Sequence, residues 1–370
     1  MIAVGVDYWL AVTHAPGAGR YVRELVRALA PRKDELELKL LEFGPGARVL
    51  GEPHLGLEGF EGRRLRVKAP RRLLDWSARV GLGADRWLGG CDLFHGPFAG
   101  APRPSRALRT CSVSEFPPPE RDEVFGAELR RCAAVITFSR YAAEQLVRRY
   151  GIDGGAVHAL PVGCEHWRRA LGRELPLESP PRVLVLGRLD ERRNPLAVLR
   201  ACEQLVRDGT DLRLSYVGRP GDAYDALRAY VTRSPISSRV SWSSAPREEE
   251  LPALVARAAV LVHLSDGELT PVTPLEALAL GCAVVATRAP AFVEALGPQA
   301  LWLDAPAADV EPAHLAAHIG TALSQRDDVR LRHSRQALAA AYSWRRHADL
   351  TLQVWRNVLG EDGAASPPRR

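Results

Sequence analysis

Two runs of short apolar segments alternate with helix-period segments, and a stretch with neither pattern separates them. In the first run, Met1–Val6 reads as a strand. A glycine-containing loop at 16–19 follows, then apolar residues at helical spacing within Arg20–Leu29. Leu36–Phe43, Leu93–His95, Arg109–Val113 and Ala133–Phe138 read as further strands, and Ser139 caps a helix over Arg140–Tyr150 that ends at Gly151. The second run opens with a buried-type strand, Arg182–Leu186, and a helix, Pro195–Asp208. Strands at Leu212–Val217, Arg239–Trp242, Ala259–Leu264 and Ala283–Ala286 follow, with helices among and after them, the last at Trp344–Leu359. Such alternation predicts parallel sheets covered by helices on both faces. Two series of similar size predict two Rossmann-like domains facing a cleft.

The expected bounds are 1–163 for the first domain and 182–343 for the second, with helix 344–360 crossing back to complete the first. Residues 164–181, rich in charge and proline, are expected to be a linker, and 361–370 a flexible tail. A composition of 46% hydrophobic and 25% charged residues excludes a disordered chain. The six cysteines form no C-x-x-C pair, which argues against zinc ribbons and suits a reducing compartment. No apolar stretch approaches spanning length, and the first 20 residues lack a signal-peptide core.

Chemistry concentrates in the second half. Glu268 and Glu276 stand eight residues apart across a strand-to-helix turn. A helix N-terminus there offers free N–H groups to an anion, and a carboxylate can accept two hydroxyl hydrogen bonds. Upstream, the strand before Gly187 leads into Arg188 and Arg193. Guanidinium groups beside such a turn suit a phosphate. In the first half, Gly17, Ala18 and Gly19 precede Arg20-Tyr21 and a helix; a lone G-x-G is a weak signal.

The run from Glu268 through Pro274-Leu275-Glu276-Ala277 to Gly281 resembles the E-x7-E signature of retaining glycosyltransferases of family 4, which have the GT-B fold. The segment Gly187-Arg188…Arg193-Asn194 resembles that family's G-R-L-x-x-x-K-N, with arginine in place of lysine. Gly17–Tyr21 is similar to its G-I-G-R-Y loop, and Tyr342-Ser343-Trp344 to the start of its final crossing helix. The resemblance implies that Glu276 binds the ribose of a nucleotide-sugar and Glu268 the donor sugar. Arg188 and Arg193 would hold the diphosphate, and Gly187, Thr270, Val272, Thr273 and Leu275 would line the donor. Gly17, Ala18 and Gly19 would reach the donor from the first domain. The interior of the motif departs from the family, with Leu269–Thr273 where G-F-G-L-P is usual.

Softer resemblances place His95 (within Phe94-His95-Gly96-Pro97), Ser114, Glu115 and Ser139 on the acceptor and sugar side. Ser114-Glu115 stands where many relatives have His-Asp, and serine cannot carry a proton as imidazole does. The family implies sugar transfer to an acceptor hydroxyl with retention and without a metal or other cofactor. GDP-mannose is the first donor expected and a UDP-sugar the next. The acceptor would be a glycan or lipid-linked oligosaccharide in cell-surface polysaccharide assembly. A degenerate relative that binds a nucleotide-sugar or a partner enzyme is the alternative.

The net charge of +6 rests almost wholly on arginine, since Lys33, Lys39 and Lys68 are the only lysines. Residues 63–79 interleave basic and apolar side chains, a pattern suited to an anionic membrane surface. The expected place is therefore the cytoplasm, peripheral at the inner face of the plasma membrane. No nucleic-acid recognition module is visible, so that partner is not expected. His314 and His318 lie one helical turn apart but lack a third ligand, so no metal is expected there.

Overall fold

The structure is a computed structural model. It describes residues 1–13, 17–44, 55, 57, 60–69, 71–97, 101–244 and 246–361. The chain divides into two compact units, one of residues 1–163 with 343–370 and one of 164–342.

The first unit carries a seven-stranded parallel sheet in the order β3-β2-β1-β4-β5-β6-β7. Its strands are β1 (Ile2–Asp7), β2 (Leu36–Phe43), β3 (Arg63–Val67), β4 (Leu93–Gly96), β5 (Leu108–Val113), β6 (Ala134–Thr137) and β7 (Val157–Ala159). The apolar strands stack side by side because both sheet faces are covered, as in Val4 against Leu38 and Leu93. The helix Trp344–Leu359 packs on the helix Ala18–Leu29 and buries Trp355 completely.

The second unit repeats the plan with six parallel strands in the order β10-β9-β8-β11-β12-β13. These are β8 (Arg182–Leu186), β9 (Arg213–Val217), β10 (Val240–Ser243), β11 (Val260–His263), β12 (Ala283–Thr287) and β13 (Ala300–Leu303). Val183, Leu214, Val260 and Val285 form its core with Leu199, Leu315 and Ile319 from the covering helices. In both sheets the strand order reverses beside the first strand, between β1 and β4 and between β8 and β11. Open α/β sheets bind ligands at such a switch, beyond the carboxyl ends of the strands.

Two segments differ from expectation. Residues 164–181, expected to be a linker, belong to the second unit and contain the helix His166–Leu171. Cys164, His166 and Trp167 are buried there and anchor a segment whose charge and proline hid its few core residues. The basic stretch 63–79 is not one amphipathic element. Its first part is the edge strand β3, and Arg64 and Arg66 both pair with Glu42, a fully buried carboxylate on β2. Charged edge strands are a common guard against further pairing. Its second part is the helix Arg71–Arg79. The expected tail lies outside the described residues from 362 onward.

Candidate functional site

The switch point of the second unit brings together two of the three motif groups. At the exit of β8, Gly187 adopts φ +135° and Gly218, at the exit of β9, φ +148°. A Cβ on Gly218 would stand 1.9 Å from the Gly187 carbonyl oxygen, so the two turns meet backbone to backbone. That approach fixes the loop carrying Arg188 and Arg193.

Arg188 is 65% exposed at its side chain and pairs with Asp190 at 3.0 Å. Arg193 is only 20% exposed and pairs with Glu268. The next residue, Asn194, is the only described non-glycine residue with positive φ (42°). Asparagine tolerates this conformation better than most residues. Its side chain accepts from the Ala197 N–H at 3.2 Å, capping the helix Pro195–Arg207, and donates to the carbonyls of Ala307 and Ala308 at 3.1 and 3.2 Å.

Glu268 lies on the loop after β11. One carboxylate oxygen is held by Arg193 and the other accepts from His263 Nε2 at 3.1 Å. Burial alone would raise the pKa of this carboxyl. The charges of His263 and Arg193 and the bonds from His263 and Ser265 overcome that and lower it to about 2. His263 ends β11, is buried, and lies against the Phe292 ring with centroids 5.4 Å apart. His263, Leu264, Gly187, Arg188 and Arg193 line one crevice. His263 was absent from the sequence-derived site. Its only signal was a polar residue closing an otherwise apolar strand.

The glycine-free interior of the glutamate motif keeps an ordered turn. None of residues 269–273 has positive φ, so the glycines usual in the family are not needed for this backbone. The loop is pinned instead. Thr287 donates to the Ser265 carbonyl at 2.7 Å and accepts from the Ser265 N–H at 3.0 Å, and Asp266 accepts from the Ala307 N–H at 2.7 Å. Thr270 and Leu275 are buried, while Val272 and Thr273 are half-buried at the start of the helix Val272–Ala279.

Glu276, on that helix, is fully buried and stands 3.0 Å from His166 Nε2. The family resemblance implied that this carboxylate binds a ribose. Here the helix His166–Leu171, hidden in the supposed linker, covers it.

In the first unit, Pro16 of the glycine loop lies outside the described residues. Gly17 begins the helix Ala18–Leu29 with φ +68°. Gly19 has a packing role: a Cβ there would stand 2.4 Å from the Leu10 carbonyl oxygen.

His95 does not line a site. It is fully buried within a run of hydrogen bonds from Thr110 through His95, Ser112, Tyr21 and His347 to the Pro161 carbonyl, with distances of 2.9 to 3.2 Å. The carbonyl can only accept, so His347 Nδ1 carries a proton; burial lowers the pKa of both imidazoles and keeps them neutral, and the two together set the direction of the whole run. His347 Nδ1–H donates to Pro161, Tyr21 donates to His347 Nε2, Ser112 to Tyr21, His95 Nε2–H to Ser112, and Thr110 to His95 Nδ1. Ser139 is likewise committed, accepting from the Ala142 N–H at 3.1 Å as a helix cap. Ser114 is half-buried and Glu115 exposed, just past the carboxyl end of β5. Among the described residues, no group of three His, Cys, Asp or Glu could hold a metal ion.

Doubled Rossmann-like parallel sheets give the two-domain GT-B architecture, and the comparisons with known proteins point to a glycosyltransferase. Residues 180–325 match the family model described as Glycosyl transferases group 1. The chain is 26% identical over 315 residues to a D-inositol 3-phosphate glycosyltransferase of Acidothermus cellulolyticus, covering 79% of this chain and 68% of the relative. It is 25% identical to the O-antigen chain mannosyltransferase B of Escherichia coli, covering 92% and 96%. Among solved structures, an Anabaena protein crystallised with UDP-glucose shares the fold with a TM-score of 0.69 at 18% identity, covering 95% of this chain and 99% of that one.

Proposed function

We propose that this glycosyltransferase moves a sugar from a nucleotide diphosphate donor to an acceptor hydroxyl, with retention at the anomeric carbon and without a metal ion. The observation that carries the reading is the cluster of Arg188, Arg193, Glu268 and His263 at the carboxyl ends of the two switch-point strands. Arg188, exposed beside Asp190, would meet the diphosphate first. Arg193 would follow by exchanging Glu268 for phosphate oxygens. Two guanidinium groups there would neutralise the charge that grows on the leaving diphosphate, the task a divalent cation performs elsewhere. Glu268, released from Arg193 but still held by His263, would accept from donor sugar hydroxyls. In a route without an enzyme nucleophile, the departing phosphate oxygen would take the acceptor's proton.

GDP-mannose is the first donor to try, because several relatives are named mannosyltransferases; UDP-sugars come next. The acceptor would be a glycan or lipid-linked oligosaccharide of cell-surface polysaccharide assembly, with Ser114 and Glu115 on its side. Thermal shift with GDP, UDP, ADP and dTDP, each without metal and then with magnesium, tests the reading. One nucleotide should stabilise the wild type without metal and fail to stabilise Arg188→Ala and Arg193→Ala. No stabilisation by any of the four would sink it.

A membrane-peripheral placement is the second part of the proposal. Leu73, Trp76, Val80 and Leu82 are each about half exposed or more, on and just after the helix Arg71–Arg79, beside the exposed Arg79. Large apolar side chains next to arginine suit the headgroup region of an anionic bilayer. No helix among the described residues is long and apolar enough to cross a membrane.

A further inference from the structure

Two of the six cysteines, 21 positions apart in the sequence, come together in the first unit. Cys111 is buried on β5. Cys132 is half-buried in the turn before β6, and its thiol approaches the Cys111 sulfur at 3.5 Å. The surrounding backbone is firmly placed. The Cys132 N–H bonds to the Leu129 carbonyl at 3.0 Å and the Ala133 N–H to the Arg109 carbonyl at 2.7 Å. The Arg109 guanidinium is buried beside the pair, tied to Glu128. We propose that Cys132 and Cys111 form a dithiol modification site, in which a hydroperoxide oxidises Cys132 and Cys111 resolves the product to an intramolecular disulfide.

The two thiols have different surroundings. The hydrogen bond with Cys111 and the Arg109 charge hold the Cys132 thiol below its ordinary pKa against the opposing effect of burial. Cys111 is pushed well up by the same contact and by burial, and stays a thiol. A half-buried cysteine of lowered pKa beside a fully buried partner thiol is the arrangement of a peroxide-reactive cysteine with its resolving thiol.

The first step breaks the O–O bond. The Cys132 thiolate attacks one peroxide oxygen, giving a sulfenic acid, and the other oxygen leaves as an alkoxide or hydroxide that takes a proton from solvent. The Cys111 sulfur then attacks the sulfenic sulfur, its proton leaves with the hydroxyl, and water is released. The balance is two thiols and one hydroperoxide to one disulfide, one alcohol (or water) and one further water. The peroxide gains two electrons, one from each sulfur. The sulfurs must close from 3.5 Å to about 2.05 Å, a movement that side-chain rotation and a small shift of the turn at Cys132 can supply.

Intact-mass and peptide mass spectrometry of the full chain after a hydrogen peroxide titration tests this. The wild type should lose about 2 Da, the two hydrogens of one disulfide, and yield a linked peptide containing Cys111 and Cys132. Cys111→Ala should stop at a sulfenic acid on Cys132 that dimedone traps. Cys132→Ser should leave residue 111 unmodified at the same dose. Wild-type protein carrying Cys132 sulfinic acid with no linked peptide would overturn the proposal, as would a pair that stays reduced while other cysteines react. The wild-type peptide map decides even where a substitution in the buried strand fails to fold.

Discussion

His263 Nε2 donates to Glu268 at 3.1 Å while Arg193 occupies the other oxygen of the same carboxylate. The carboxylate is thus oriented from two elements, the end of β11 and the turn after β8. Removing His263 leaves Glu268 held by Ser265 and by the arginine that a donor phosphate would recruit. His263→Ala is expected to weaken nucleotide-sugar binding about tenfold, the loss of about 1.4 kcal/mol typical of a charge-assisted hydrogen bond. His263→Gln, which can still donate, should recover most of it. Calorimetric titration of both variants with the stabilising nucleotide-sugar checks this. Equal affinity in wild type and His263→Ala would remove His263 from the site.

Glu276 poses a sharper question, because a ribose contact and a buried pair predict different variants. Leaving a buried polar group without its partner costs about 1–3 kcal/mol. Both His166→Ala and Glu276→Gln should therefore lower Tm. Only Glu276→Gln should also abolish the nucleotide-dependent shift, if its carboxylate meets the ribose. A shift that survives in Glu276→Gln would confine Glu276 to holding the helix His166–Leu171.

These two glutamates mark the limit of what was legible in the sequence. The strands β2 and β8 and the helices Arg140–Tyr150 and Trp344–Leu359 fall where the pattern puts them, since their apolar periods and caps are local. The edge strand β3 was hidden because its arginines are neutralised by Glu42, 22 and 24 positions earlier in the chain. His166 was hidden in charge-rich sequence because its partner lies 110 residues later. His95 matched a motif, yet its role is set by Thr110, Ser112 and the C-terminal helix, all outside that motif. Local periodicity writes the elements, whereas the fate of a polar side chain depends on partners brought in by topology.

Asn194 combines a left-handed backbone with a cap and two carbonyl contacts. Asn194→Ala is expected to cost about 2–3 kcal/mol, from a lost cap and an unfavourable φ together. Asn194→Gly, which relieves the backbone, should cost less. Urea unfolding of the two variants measures the difference. A destabilisation of Asn194→Ala no larger than that of Asn194→Gly would show that φ +42° carries no penalty here.

Acid should loosen the first unit. Burial lowers the His95 pKa to about 3, helped by the charge of His347, and lowers that of His347 to about 4 against the favourable Pro161 carbonyl. An unfolded chain protonates both near 6.5. The stability from neutral burial is complete above that pH and declines as pH falls toward 4, by up to about 1.4 kcal/mol per pH unit for each imidazole. In the second unit, Glu268 adds a loss in the same direction at lower pH, from 4.5 toward about 2. Unfolding free energies at pH 7, 6 and 5 should fall, and His347→Gln should flatten the slope by about one imidazole's share. A flat profile between pH 7 and 5 would contradict the burial of both imidazoles in their neutral form.

The proposed membrane docking would rest on Trp76 more than on Arg64 or Arg66 of β3. Arg64 and Arg66 are already paired with Glu42, so they add little attraction to a bilayer. Trp76 is 60% exposed, Leu73 46%, and the two stand three positions apart on one helical face. Burying a large apolar side chain is worth about 1.5–3 kcal/mol. Trp76→Ser with Leu73→Ser should therefore reduce partition onto phosphatidylglycerol-containing vesicles more than tenfold. Neither substitution should change the unfolding free energy by more than about 0.5 kcal/mol. Sedimentation with vesicles of increasing anionic content reads the partition directly. Binding that depends on lipid charge but is unchanged in the double variant would move the contact to another basic face and leave this patch for a protein partner.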